Sequence, residues 1–194
     1  MPPKPIKIVH TSDVHLDGRD RDCAEDGYRN VSERAFGTVV DLTIAESADL
    51  LLIAGDLFDS NRMRDSDFSF VCDQLARVDC PAVVIPGNHD VHNKQSVWNR
   101  IDLTAAGDHV HSVTSVTGTM VELPEINASV WGRAMQEHAP ENVPLDGVTP
   151  GPKGFWHIGM AHGDVLRSRT GCASPITYDE IEQSDLDYLA LGQV

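Results

Sequence analysis

Three apolar segments in the first half of the chain predict β-strands. They cover residues 6–10, 50–54 and 81–85. The second and third are continuous apolar runs, which is the pattern of strands covered on both faces. The stretches between the strands carry apolar residues at helical spacing. This strand–helix–strand–helix–strand order favours parallel strands joined by right-handed crossovers.

Polar residues mark where the first of the two helices begins. Asn30 is expected to cap it, with Glu33 in the capping-box position, and its apolar face extends to Ile44. A polar loop at about residues 17–28 precedes this helix. The second helix is predicted at about residues 66–78.

The second half of the chain has a different pattern. Short β-prone pieces at residues 110–116, 119–123 and 128–131 predict an antiparallel meander in a second sheet. Residues 137–154, rich in proline and glycine, predict a long loop. A strand at 155–161, a short helix at 178–183 and a strand at 186–191 complete the predicted elements. The fold class is therefore mixed α/β with two sheets.

Composition limits the class of protein. The 194 residues suffice for one domain with a sizeable core, and no run approaches the ~18 apolar residues of a membrane span. The first residues lack a secretory signal, so we expect a cytoplasmic protein that does not bind a membrane. The cysteines at 23, 72, 80 and 172 show no paired metal spacing and are expected to be reduced thiols. A net charge of −15 repels phosphate backbones unless local cations reverse it.

Candidate chemistry follows the strands. The segments at their carboxyl ends are Asp13-Val14-His15, Gly55-Asp56, Gly87-Asn88-His89-Asp90, His162-Gly163-Asp164 and Gly192-Gln193. In an open α/β sheet the carboxyl ends of the strands lie side by side and form the crevice where ligands bind. Five distant segments would therefore bring Asp, His and Asn side chains to one place. Metal ligation explains this collection better than a structural role for each residue.

The residue types indicate how a metal would be bound. Alternation along an extended segment would put Asp13 and His15 on one side, where both could chelate one ion. Asp56 has two oxygens and could bridge two ions, while Asn88 offers an amide oxygen and His162 an imidazole nitrogen. Mixed oxygen and nitrogen ligands without thiolate suit Mn²⁺, Fe²⁺ or Zn²⁺. Two such ions would hold a phosphoryl group and supply a nucleophile at neutral pH.

His89 is the candidate general acid. It follows a ligand but would point elsewhere if Asn88 coordinates, and imidazole has a suitable pKa for protonating a leaving oxygen. Asp59 could orient its ring. Asp90 is expected to brace its loop, and His92 lies near enough to touch substrate. Taken singly, Asp-x-His, Gly-Asp and a lone histidine have ordinary structural explanations, whereas Gly-Asn-His-Asp after an apolar strand is far more specific.

These motifs resemble the calcineurin-like metallophosphoesterase superfamily, whose signature runs D-x-H, G-D-x-x-D, G-N-H-D/E, a lone histidine and G-H-x-H. The matching residues are Asp13, His15, Asp56, Asp59, Asn88, His89 and His162. The resemblance implies a two-sheet β-sandwich flanked by helices, a dinuclear site at its edge and hydrolysis of phosphoric esters. It places one ion on Asp13, His15 and Asp56, and a second on Asp56, Asn88 and His162. Mn²⁺ is the expected metal, with Fe²⁺, Zn²⁺ and Mg²⁺ as alternatives.

Three phrases are similar to the bacterial DNA repair exonucleases of the SbcD type. They read His10-Thr11-Ser12-Asp13-Val14-His15-Leu16, Ile53-Ala54-Gly55-Asp56-Leu57-Phe58-Asp59 and Asp187-Tyr188-Leu189-Ala190-Leu191-Gly192. In that branch the phosphoesterase acts on DNA ends with a coiled-coil ATPase partner. The resemblance therefore implies that the phosphate ester substrate is DNA and that the protein acts with a partner of that kind. Isolated cations at Arg62, Arg64, Lys94 and Arg100 are candidate phosphate contacts, although ordinary exposed charge is their commoner meaning.

The chain departs from the signature at its end, where Gln193 stands at the first histidine of G-H-x-H and the second is absent. Gln193 could ligate the second metal through its amide oxygen, more weakly than imidazole. We expect one metallophosphoesterase domain, residues 1–194, that lacks the C-terminal strands of the family and is truncated. Three functions follow as hypotheses: a DNA phosphodiesterase, a phosphoesterase on small phosphodiesters, nucleotides or phosphoproteins, and a degenerate non-catalytic binding module.

Overall fold

Two four-stranded sheets form the framework of the protein in the computed structural model, which describes residues 3–19, 30–168 and 172–193. The strands are β1 (Ile8–Thr11), β2 (Leu50–Ala54), β3 (Ala82–Ile85), β4 (Val110–Ser112), β5 (Thr119–Leu123), β6 (Ala128–Gly132), β7 (Trp156–His162), β8 (Asp164–Leu166), β9 (Pro175–Thr177) and β10 (Tyr188–Gly192). The helices are α1 (Val31–Ala45), α2 (Asp65–Leu75) and α3 (Tyr178–Gln183), with short 3₁₀ turns at Val97–Asn99, Leu103–Ala106 and Pro124–Ile126.

The first sheet has the order β1-β2-β3-β4, and every neighbouring pair is parallel. Thr11 lies opposite Ile53, and Ala54 lies opposite Ile85, so the first three strands end at nearly the same level. Helices α1 and α2 form the crossovers between these three strands, as the alternation of elements predicts. One edge of this sheet therefore collects the residues that follow three successive strands.

The expected antiparallel meander is wrong for its first strand. β4 is short and pairs in parallel with β3, so it belongs to the first sheet. The chain between the two strands contains two 3₁₀ turns and acts as a crossover, which brings β4 back in the same direction as β3. Among the described strands, β5 and β6 alone form an antiparallel pair, and this is one of the predicted pairs.

The second sheet has the order β10-β7-β6-β5, and its β6–β7 and β7–β10 pairs are parallel. Gly192 lies opposite His162, so β7 and β10 also end at one level. β8 and β9 form a separate two-stranded parallel sheet. The two large sheets pack face to face as the predicted sandwich.

Strand β2 shows why its sequence is apolar throughout. Leu50, Leu52 and Ala54 pack against residues of the second sheet, including Val130 and Met160. The alternate residues of β2 point to the opposite face, where a second cluster forms beneath α1 and α2. That cluster combines Leu51 and Ile53 with Phe36 and Val40 of α1 and with Phe68, Val71 and Leu75 of α2. All five residues of β2 are therefore buried, and helices flank the first sheet as predicted.

Helix boundaries agree closely with the sequence pattern. The Asn30 side chain accepts a 2.9 Å hydrogen bond from the backbone N–H of Glu33, which confirms the expected cap. Helix α2 ends at Leu75 rather than residue 78, although Val78 still packs into the core. Helix α3 has the predicted bounds, and residues 137–154 contain no helix or strand.

Two expectations from composition concern features outside the core. Cys72, Cys80 and Cys172 are free thiols, as expected, whereas Cys23 and most of the polar loop at 17–28 lie outside the described residues. Within the described part of the chain, no helix combines the length and the apolar character that crossing a membrane requires.

The core between the sheets leads to a stability prediction. Leu52 is fully buried, so Leu52→Ala should lower the free energy of unfolding by about 2–5 kcal/mol through lost burial and a residual cavity. Leu42 of α1 is 50% exposed, and Leu42→Ala is the matched control, expected to change stability by less than about 0.5 kcal/mol. Urea unfolding curves measure both. Equal effects of the two substitutions would contradict the placement of Leu52 between the sheets.

Candidate metal centre

The polar segments predicted to meet do lie together at one edge of the sandwich. Asp13 follows β1, Asp56 follows β2 and Asn88 follows β3, all in the first sheet. His162 ends β7 of the second sheet, and Gln193 directly follows β10. Both sheets therefore contribute to the site, and the seam between them passes through it.

The backbone is left-handed at four non-glycine residues of these segments. The φ angles are 55° at Asp13, 51° at His15, 52° at Asp56 and 56° at Gln193. Such angles are uncommon outside glycine, and they tend to persist where surrounding contacts enforce them, often at functional sites. The expectation that Asp13 and His15 share one side of an extended segment is therefore wrong, because the extended strand ends at Thr11.

Backbone hydrogen bonds hold this turn in place. The Asp13 N–H donates to Gly55 O at 3.1 Å, and the His15 N–H donates to Asp56 O at 3.0 Å. Leu16 and Phe58 then form an isolated parallel bridge. The Asp-x-His turn is therefore hydrogen-bonded to the segment that carries Asp56. This pairing brings the side chains of Asp13 and His15 close to that of Asp56.

Two glycines allow the close packing around Asp56. A Cβ at Gly55, where φ is +88°, would lie 2.2 Å from His162 Nδ1. A Cβ at Gly87 would lie 2.3 Å from Asp56 Oδ1 and 2.6 Å from the Asp56 backbone nitrogen. Any larger residue at either position would displace a candidate ligand, so both glycines are needed for the site geometry.

Asp56 is the central carboxylate of the site. Its Oδ1 accepts a 2.8 Å hydrogen bond from the backbone N–H of His89, while its Oδ2 lies 3.3 Å from His162 Nε2 and 3.8 Å from His15 Nε2. The side chain is only 2% exposed. Burial opposes ionisation, but the hydrogen bond and charge of His162 and the His89 N–H outweigh it, so the pKa of Asp56 lies below its usual value.

His162 is held in an orientation that suits a metal ligand. Its Nδ1 lies 2.9 Å from Ala54 O, which can only accept, so Nδ1 carries a proton. Its Nε2 then faces Asn88 Oδ1 at 2.8 Å and Asp56 Oδ2 at 3.3 Å. Burial lowers the pKa of His162, but Asp56, the Ala54 carbonyl and the charge of Asp13 together raise it by more. The close approach of Nε2 to two oxygen atoms would be favourable if Nε2 carries a proton or if a cation is bound beside it.

His15, His89 and Asp59 form the more exposed side of the site. The two imidazole rings meet edge to face with their centroids 4.6 Å apart. The predicted contact between Asp59 and His89 is made chiefly by the backbone, since His89 Nδ1 lies 3.1 Å from Asp59 O but 3.9 Å from the carboxylate oxygen Oδ1. That carboxylate oxygen is nearer to His15 Nδ1, at 3.5 Å. The Asp59 side chain is therefore shared between the two rings.

The donor set fits divalent cations. Among the described residues, two groups of three have potential ligand atoms all within 4.8 Å of one another: His15, Asp56 and His89, and Asp13, Asp56 and His162. Asp56 belongs to both groups, but Asp13 is grouped with His162 and His15 with His89, which differs from the resemblance-based expectation that Asp13 and His15 share one ion. In the described part of the chain, His15 Nδ1 and Gln193 Oε1 are buried atoms with no hydrogen-bond partner. Carboxylate, amide and imidazole donors around a shared buried carboxylate are a set that binds Mn²⁺, Fe²⁺ or Zn²⁺.

Asp90 braces the site loop, as the sequence predicts. Its carboxylate accepts hydrogen bonds from the backbone N–H groups of Gly87 at 2.7 Å and Phe58 at 3.2 Å. The residue is fully buried, and this burial raises the pKa of Asp90 to about 7 despite the two N–H donors. Sequence reasoning missed the carbonyl of Ala54, which orients His162, because a main-chain group leaves no signal in residue identity.

Two of the four candidate phosphate-binding cations hold loops instead. The Arg100 guanidinium donates to the carbonyls of Met63 at 3.1 Å and Asn61 at 3.0 Å and lies over the Phe68 ring. The Arg64 guanidinium donates to the carbonyl of Gly18. Both guanidinium groups therefore make loop contacts, a role that neither interpretation of these cations named.

Comparison with known proteins connects this geometry to a family. The family model described as calcineurin-like phosphoesterase matches residues 6–189. The chain is 28% identical to the uncharacterized metallophosphoesterase YhaO of Bacillus subtilis over 97% of this chain and 48% of that protein. It is 28% identical to a probable cyclic nucleotide phosphodiesterase of Coxiella burnetii, over 44% of this chain and 32% of that protein.

A third relative is the DNA double-strand break repair protein Mre11 of Saccharolobus solfataricus. The chain is 30% identical to it, over 46% of this chain and 24% of that protein. The chain spans about half the length of YhaO and less of the other two relatives. The family match covers the whole strand framework up to the middle of β10 and every predicted site residue except Gln193. The chain belongs to the calcineurin-like phosphoesterase family.

Proposed function

We propose that this protein is a metal-dependent phosphodiesterase that hydrolyses DNA at the candidate metal centre. The observation that carries the proposal is the position of Asp56, a buried carboxylate that belongs to both groups of converging donor atoms. By the family resemblance, Asp13 and His15 would hold one ion with Asp56, with Asp13 also within reach of the donor atoms around His162. Asn88, His162 and Gln193 would hold a second ion with the same carboxylate. Bound divalent ions supply Lewis acidity and lower the pKa of bound water, which provides a nucleophile at neutral pH.

The residues of this chain have distinct tasks in that reaction. The Ala54 carbonyl fixes the His162 ring, and the His89 backbone N–H fixes Asp56, so two donors are oriented before substrate arrives. The His89 ring is 45% exposed and is held from one side by Asp59 O, which leaves Nε2 directed away from that contact. We assign His89 as the general acid that protonates the leaving oxygen, with Asp59 as its positioning residue.

DNA is the proposed substrate because the motifs resemble the SbcD-type exonucleases and because Mre11 is a relative. The net charge of −15 opposes binding of a long polyanion, so we propose that further basic surface comes from a partner, by resemblance a coiled-coil ATPase. The cyclic nucleotide phosphodiesterase relative favours a second candidate, a small phosphodiester. Mn²⁺ is the proposed metal.

Asp56→Asn tests the metal centre. The amide keeps an acceptor for the His89 N–H but removes the charge that both donor groups share, so divalent affinity should fall by at least about 100-fold, more than loss of an outer ligand contact causes. Mn²⁺ titration calorimetry and metal analysis after dialysis measure this. Asp73→Asn, on the exposed side of α2, is the matched control and should bind like the unmodified protein. Equal metal binding by both variants would remove Asp56 from the site.

His89→Asn separates an acid from a ligand. Turnover should fall about 100- to 10,000-fold, the usual contribution of general acid–base catalysis, while metal content stays unchanged. The fall should be much smaller on a nitrophenyl diester, whose leaving group needs no proton. His138→Asn, at an exposed position, is the control and should leave both rates unchanged. Loss of bound metal in His89→Asn would instead make His89 a ligand of the group it forms with His15 and Asp56.

A substrate panel with Mn²⁺ tests the DNA assignment. Single-stranded DNA, duplex DNA, a cyclic nucleotide and a chromogenic diester are compared at equal phosphodiester concentration. We expect hydrolysis of DNA that is abolished by Asp56→Asn. Hydrolysis of the small diesters with inert DNA would favour the second candidate, and no hydrolysis of any substrate by metal-loaded protein would favour a non-catalytic module.

A further inference from the structure

Gln193 lies inside the metal centre, next to His162. β10 pairs in parallel with β7, and Gly192 is opposite His162, so Gln193 is the first residue beyond that pair. A Cβ at Gly192 would lie 2.4 Å from His162 Nδ1 and 2.0 Å from Ala54 O, which shows how tightly this segment packs on the ligand. The backbone N–H of Gln193 donates to Asp13 Oδ2 at 3.1 Å. The residue is thus fixed between candidate ligands of both ions.

The Gln193 amide oxygen is a possible ligand atom without a partner of its own. Its backbone is left-handed, with φ of 56°, a conformation that glutamine rarely adopts without enforcing contacts. Its Oε1 is buried and has no hydrogen-bond partner among the described residues. A buried amide oxygen without a partner is costly, and coordination to a cation at the site would satisfy it.

The chemistry of this oxygen distinguishes the two ion positions. The position beside His162 would have oxygen donors from Asp56, Asn88 and Gln193, with the Asp13 carboxylate also within reach, and one nitrogen donor. Carboxylate and carbonyl oxygens suit Mg²⁺ and Mn²⁺, whereas imidazole suits Zn²⁺, Fe²⁺ and Ni²⁺. Resting on the proposed function, we infer that Gln193 makes this position selective for hard, oxygen-preferring cations and biases it against Zn²⁺.

Competitive binding of Mn²⁺ and Zn²⁺ tests the inference without a catalytic assay. Each ion is titrated by calorimetry and against a fluorescent chelator, and metal content is measured after dialysis in equimolar mixtures. Gln193→His should raise the ratio of Zn²⁺ to Mn²⁺ affinity at one position at least about tenfold. Gln193→Ala should weaken Mn²⁺ at that position about tenfold or more, because an oxygen donor is lost.

Two further variants keep the result interpretable. Gln193→Glu preserves an oxygen donor and should retain Mn²⁺, which covers the case in which the alanine variant fails to fold. Gln183→His adds a histidine at an exposed position of α3 and should change neither affinity. An unchanged ratio in Gln193→His, with Asp56-dependent Mn²⁺ still bound, would overturn the inference alone. Absence of any Asp56-dependent ion in the unmodified protein would overturn the proposed function and this inference together.

Discussion

The site depends on one buried carboxylate. Asp56 is almost fully enclosed, yet its pKa stays below the usual value because His162 and the His89 N–H offset the loss of hydration. Burial of a carboxylate without compensation would be strongly unfavourable. The Ala54 carbonyl, the Gly55 and Gly87 turns and the loop braced by Asp90 all place donors around this group. These donors come from both sheets because the strands that carry them end at the same edge of the sandwich.

Backbone strain is concentrated at the same place. Asp13, His15, Asp56 and Gln193 are four of the eight non-glycine residues with positive φ in the described chain. Each such residue carries an unfavourable conformational energy that surrounding contacts must offset. Here the contacts are the hydrogen bonds from Asp13 and His15 to the Asp56 segment and the tight packing of Gly192 on His162. The stability of the two-sheet core thus maintains donor positions that isolated turns would not adopt.

The sequence predicted the framework, and which polar residues lie together at the edge of the sandwich, better than the geometry of those residues. Continuous apolar runs identified β2 and β3 because strands covered on both faces have no polar alternation. Strand-end position then identified Asp56 and His162. The sequence did not predict the direction of β4. Whether β4 pairs in parallel or antiparallel with β3 depends on the path of the crossover, not on the short strand itself. Left-handed turns at Asp13 and His15 also escaped prediction, because long-range backbone hydrogen bonds enforce them.

The charge of the chain bears on how a substrate reaches this site. With a net charge of −15, the long-range field repels a polyanion, but charges farther apart than about 8 Å are largely screened at physiological salt. Divalent ions beside Asp56 would reverse the sign of the field locally, where a phosphate ester would bind. They would not compensate along a longer DNA segment, and Arg64 and Arg100 are already committed to loop carbonyls. If the substrate is a polymer, as proposed, its affinity would draw on further cationic surface, whereas a small diester would require only contact with the ions.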